Sequence, residues 1–328
     1  MHPRLLIPLL AVLMVALIAT SAVVGSHHLD IGSAIASRLA GRQTVESVVF
    51  FELRLPRAAL AAMVGFSLGI SGAAMQGWLR NPLADPGVIG VSATAALGAV
   101  IAFYSGLAAI FSLALPLGGI GGAMVSTLAL YLLAGRGAGT TALVLAGVAL
   151  ASLAAALTAL ALNLSPNPYA TVEIMFWLMG GVTDRSADHV LLAFPLMALG
   201  WLLLSRCGPP LDALTLGEDT ARSLGFDLHQ LRAQVIAGVA LAVGSAVAVS
   251  GAIGFIGLIM PHLLRPILGN SAGRLLVPSG LGGAVLLLAA DIFIRLIPVQ
   301  PELKLGVVTA LLGAPFLFAL VWRLRSEP

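Results

Sequence analysis

Asp291 and Arg295 stand four residues apart in an otherwise apolar stretch, the spacing at which a carboxylate and a guanidinium share one helix face. Such a pair either serves structure or marks a functional site, because ionisable groups are costly in an apolar environment and are kept there for a reason. Other residues that could do chemistry are few. His262 follows Pro261 and reads as a hydrogen-bonded packing residue. His27 and His28 have only Asp30 nearby, which falls short of a metal-ligand set. Ser71 and Ser250 could be nucleophiles, but neither has a His or Lys base in its own segment, and their Gly and Ala neighbours point to packing. Cys207 is the single cysteine, which excludes an internal disulfide and a multi-cysteine metal site. The sole lysine, Lys304, precedes Leu305, so no Gly-rich phosphate loop ending in Lys-Ser or Lys-Thr exists, and the His-Glu-x-x-His signature is absent. No catalytic, metal or cofactor site is expected, and any ATP must be used by a partner chain.

The elements that hold these residues are set by composition. Of 328 residues, 59% are hydrophobic and 9% charged, with a mean hydropathy of +1.04. Water-soluble chains run at about 45–50% apolar and about 25% charged, so the solvent here is lipid. The 17 basic residues are scattered between apolar runs and form no tract for nucleic acid, which is not expected as a partner.

Apolar segments fall at 5–24, 58–79, 87–105, 112–134, 141–164, 190–205, 233–252, 254–268, 275–297 and 305–322. Each is near the ~20 residues that cross a bilayer as a helix. Backbone groups in lipid must be satisfied within their own segment, so the chain is an all-α membrane protein of about ten spans forming one transmembrane domain over 1–328. The first apolar core is longer than a signal peptide's and reads as a retained span. A break is expected near Gly251–Gly254, where glycines cluster. With both termini cytoplasmic, Arg4, Arg80, Arg136, Arg206 and Arg222 fall inside while Arg54, Arg57, Arg185 and Arg295 fall outside, a modest positive-inside bias. Gly65-xxx-Gly69 and Gly118-xxx-Gly122 predict close helix contacts. Ser71-Gly72-Ala73 and Ser250-Gly251-Ala252 are a faint echo of two related halves.

One long polar segment, about 207–232, is expected in the cytosol as two short helices suited to docking. Gly217 separates them, and Gly225 is placed to end the second in a left-handed conformation.

Glu52-Leu53-Arg54-Leu55-Pro56-Arg57, Ser71 to Gln76 and Arg80-Asn81-Pro82-Leu83-Ala84-Asp85-Pro86-Gly87 resemble the FecCD family, the permeases of iron-siderophore, haem and cobalamin importers. Leu145 to Leu150, Phe176 to Gly181, Gly254 to His262 and Gly306 to Pro315 continue that resemblance in order and spacing over nearly the whole chain. It implies a permease subunit of an ATP-binding-cassette importer in a bacterial inner membrane. The partners implied are a second copy of the chain, two cytosolic ATPase subunits that use ATP, and a periplasmic substrate-binding protein. Carried over residue by residue, Leu214, Gly217, Ala221, Arg222, Leu224 and Gly225 correspond to the coupling segment, and Thr140 and Thr141 to the cytoplasmic narrowing of the pathway. Arg54, Arg57 and Arg295 correspond to arginines that grip the binding protein. The expected cargo is a metal chelate, an iron-siderophore first, with haem and cobalamin as alternatives. A stand-alone secondary transporter or channel is the rival reading, disfavoured by the scarcity of acids within the spans.

Overall fold

The computed structural model describes residues 3–25, 30–134, 140–297, 299 and 301–325; His27, His28 and Arg136 lie outside these. The described residues are helical throughout, with no strand among them. In chain order the helices are α1 (Pro3–Val23), α2 (Ile31–Leu39), α3 (Val45–Val48), α4 (Leu55–Leu79), α5 (Val91–Tyr104), α6 (Leu107–Ile110), α7 (Ala114–Ala134) and α8 (Thr140–Asn163). They continue as α9 (Pro168–Leu178), α10 (Ala187–Ser205), α11 (Gly208–Leu214), α12 (Glu218–Ser223), α13 (Leu228–Ser250), α14 (Ile256–Leu268), α15 (Ala272–Leu296) and α16 (Leu305–Arg325). A π-helical stretch, Val49–Arg54, leads into α4, and a 3-10 turn, Pro86–Ile89, precedes α5.

Seven stretches among these are long and apolar enough to cross a membrane, and three shorter apolar helices, α5, α14 and part of α16, complete the ten expected spans. Four short helices, α2, α3, α6 and α9, were not anticipated. α2 begins where the Asp30 side chain accepts from the amides of Gly32 and Ser33, and α9 where Asn167 caps a helix with Pro168 in its first turn. All four are too short to register as spans.

The core is built around α4, α13 and α15. In α4 the apolar stretch is 89% buried within the chain, against 17% in α8, which leaves α8 to face lipid or another protein. Small residues make the central contact possible. A side chain at Gly65 or Gly69 would run into the backbone of Gly283 and Ser279 on α15, and Gly118 and Gly98 meet in the same way between α7 and α5. Trp201 of α10 donates from Nε1 to the Ser67 hydroxyl at 2.8 Å, tying a third helix to α4.

The expected break lies between α13 and α14, where residues 251–255 leave the helix. Its freed backbone groups are taken up by neighbouring segments, as an apolar surrounding demands. The Gly181 amide donates to the Ser250 carbonyl at 2.7 Å, and Arg185 Nε to the Val249 carbonyl at 2.6 Å. Phe255 opens α14 with φ at 68°, a left-handed conformation that is strained for a bulky residue, and its ring fills the space beside Gly313. The faint echo of two halves finds no local equivalence: Ser71 lies in mid-helix, whereas Ser250 ends one.

Candidate functional site

Polar groups collect at the two ends of the α4–α15 pair. At one end, Asp291 of α15 has no exposed surface and sits between two guanidinium groups. Arg57 Nε donates to its Oδ1 at 3.0 Å and its Oδ2 at 3.2 Å, and Arg295 Nη2 lies 2.9 Å from Oδ2. Arg57 also holds Glu302 at 3.0 Å, and Glu302 accepts from the Thr183 hydroxyl at 3.2 Å. Burial pushes the Glu302 carboxyl up, but the charge and hydrogen bond of Arg57 outweigh it and hold the group below the usual glutamate value.

The same arginines close the end of α1. The last carbonyls of a helix have no partner within it. Arg295 Nη1 donates to the carbonyls of Ser21 and Val24 at 2.8 Å each, and its Nη2 bonds the Ser21 hydroxyl. Arg54 Nη1 takes the Val23 carbonyl at 2.5 Å. Cations at a helix C-terminus also complement its dipole. The side chains of Arg57 and Arg295 are only 13% and 6% exposed, and Arg54 is 8% exposed as a residue. The three arginines expected to grip a partner are thus gathered together, largely buried and bonded within the chain.

At the other end lie the two short helices. Leu214 and Ala221 are buried and anchor α11 and α12, while Leu216 and Leu224 stand 68% and 59% exposed. Gly217 has φ 108° and ψ 155°, a region open essentially to glycine alone. α12 ends at Gly225, φ 88°, with its amide donating to Arg222 O at 2.9 Å and the Phe226 amide to Ala221 O at 3.2 Å. That crossed pair is a Schellman closure. Arg222 makes exposed pairs with Glu218 at 3.5 Å and Asp219 at 3.7 Å, which add little stability. Asp227 opens α13 by accepting from the amides of Gln230 and His229, bonds that hold its carboxyl below the ordinary value.

Asp212, absent from the expected site residues, fixes this segment to the core. Its Oδ1 accepts from the Ser271 hydroxyl and the Gly273 amide at 2.9 Å each, joining α11 to the start of α15. Its local sequence gave no sign of this, because the partners are 59 and 61 residues away. Thr140 begins α8 and lines a small cavity with Glu218, Arg222 and His229, so the candidate narrowing adjoins α12; Thr141 is exposed beside it. Cys207 is buried, its thiol pushed up to about 12 by burial, which makes it an inert packing group.

A bundle of long apolar helices with buried backbone breaks, a buried ion cluster at one end and a presented pair of short helices at the other defines a multi-pass membrane permease. The model of the FecCD transport family matches residues 12–323, and the chain belongs to that family. It is 42% identical over 300 residues to the vitamin B12 import system permease protein BtuC of Vibrio cholerae, covering 90% of this chain and 89% of the relative. It is 40% identical over 279 residues to an ABC transporter permease protein of Bacillus subtilis, YvrB, covering 83% and 78%. A solved structure described as an inward-facing conformation of a metal-chelate type ABC transporter superposes with a TM-score of 0.86 at 32% identity, covering 98% of this chain and 100% of that one.

Proposed function

We propose that this chain is the membrane-spanning subunit of an ABC importer of metal chelates whose cargo is a corrinoid such as vitamin B12. The observation that carries the cargo is the identity of 42%, over 90% of the chain, with a vitamin B12 import permease. It moves the first choice of cargo from an iron-siderophore to cobalamin. In this reading two copies enclose the pathway, with both termini in the cytosol. Two ATPase subunits dock on α11 and α12 through the exposed Leu216 and Leu224. A substrate-binding protein docks at the opposite end, on the loops that Arg54, Arg57 and Arg295 brace. Thr140 and Thr141 narrow the pathway where it meets the coupling helices.

The test is ATP hydrolysis by the permease assembled in nanodiscs with its ATPase and binding protein. Binding protein loaded with vitamin B12 should stimulate hydrolysis and deliver B12 across the bilayer, while a ferric siderophore should do neither. Stimulation by the siderophore alone would reassign the cargo, and transport without any ATPase subunit would return the chain to the class of secondary carriers.

A further inference from the structure

A crevice of about 340 Å³ opens at the end of the molecule that carries α11 and α12. Its polar lining is Gln76 and Arg80 from the end of α4, Asn81 just beyond, Thr215 after α11, Arg265 of α14 and Asn270 before α15. No carboxylate lines it, and neither arginine has an ion pair among the described residues. Arg265 is held in place rather than neutralised. Its Nη2 donates to Gln76 Oε1 at 2.5 Å, and Gln76 is itself fixed by donating to the carbonyls of Gly257 and Leu258 at 3.3 Å each. That bond uses one of the five N–H donors of a guanidinium and adds no negative charge. Asn81 Oδ1 is taken by the Leu83 amide at 2.9 Å, which leaves its NH2 donors unused. Arg80 closes α4 in the left-handed conformation, φ 48°, with an exposed side chain.

Two guanidinium groups and two side-chain amides without an acid make a receptor for a planar or tetrahedral anion, which arginine takes through paired hydrogen bonds. Thr215 forms one wall, so the crevice is continuous with the segment proposed above as the ATPase dock. We infer that an acidic side chain of the ATPase subunit enters this crevice and is held between Arg80 and Arg265, adding a charged anchor to the apolar contact at Leu216 and Leu224. A lipid headgroup would offer similar chemistry. However, Asn81, Thr215 and Asn270 all lie in connections between helices rather than on a membrane-facing helix side, and this favours a protein from the aqueous phase.

This rests on the importer reading, and the experiment separates the two. The permease in nanodiscs of zwitterionic lipid is titrated with its ATPase subunit, in wild-type form and with Arg80→Asn, Arg265→Gln and both together. Asparagine tolerates the left-handed backbone at Arg80, so the helix end is kept. The double variant should bind the ATPase at least about tenfold more weakly and with a flatter salt dependence, while its thermal midpoint and dimeric state stay unchanged. Unchanged affinity and salt dependence, alongside loss of assembly on replacing Gly225 by Val, would overturn the crevice as an anchor and leave the coupling segment standing. An effect that appears only when anionic lipid is added would overturn it in favour of a lipid headgroup. Failure of the wild-type chain to bind the ATPase at all would overturn the importer reading itself.

Discussion

Asp291 supplies the negative charge that two buried arginines share, and it has no exposed surface. Removing one member of a buried ion pair leaves an uncompensated charge, at about 3–5 kcal/mol. Asp291→Asn should therefore destabilise the protein by roughly that amount, read as a lowered denaturant midpoint in detergent. Arg295 should suffer more than Arg57, which keeps Glu302. Glu302 makes the cluster sensitive to acid. Its folded pKa lies below its unfolded value, so its contribution is present above the ordinary glutamate range of about 4.3 and is lost as pH falls through the lower, folded value. Glu302→Gln should remove that acid-dependent part of the unfolding curve, and an unchanged pH profile would contradict the pairing. Within this cluster only the Asp291–Arg295 pairing was legible from spacing, because the two are one turn apart; Arg57 was grouped with Arg295 by resemblance, but its own carboxylate partners were not. Arg57 lies 234 residues from Asp291 and 245 from Glu302, a separation that only the folded chain can close.

At the scale of elements, α11 and α12 were legible from local signals, since a glycine that must be left-handed and a short polar helix announce themselves within a few residues. Nothing lies within 4 Å of a side chain added at Gly217 or Gly225, so a substitution there acts by backbone strain and not by collision. Gly217→Val and Gly225→Val should each cost about 1–2 kcal/mol locally and displace α12. We expect ATPase-driven uptake to fall while membrane insertion and dimerisation, measured by crosslinking and size, persist. The glycines at 251 and 254 likewise marked the break before α14, but not the strained Phe255 that follows, whose conformation depends on packing against Gly313. α2 and α9 escaped notice because a length criterion for membrane spans discards short helices, even where Asp30 and Asn167 stood as plain N-caps.

For the whole molecule, composition made the lipid solvent and the number of spans readable, whereas the order in which helices surround α4 was not, since apolar helices look alike from every side. The low burial of α8 within one chain leaves its outer face to lipid or, in the proposed dimer, to the second copy. Cysteines placed at Thr140 or Thr141, in a chain whose Cys207 is replaced by Ala, should crosslink between the two copies in at least one nucleotide state. Failure in every state, with the dimer confirmed by mass, would move these residues off the dimer axis.

Helix α15 is pinned twice, by Asp212 at Gly273 and by Arg57 at Asp291. These anchor points are 18 residues apart, about five turns, so both lie on one side of the rod. A single inserted or deleted residue between them would swing one anchor by about 100° relative to the other, and neither end could yield without losing its partner. Gene variation in this stretch should therefore accept exchanges between apolar residues of similar size, away from the closely packed glycines at 280, 282 and 283, but no change of length. Adding one alanine in the middle of α15 should abolish accumulation of the protein in the membrane, as seen on an immunoblot, even though it alters no charge and no hydrogen-bonding side chain.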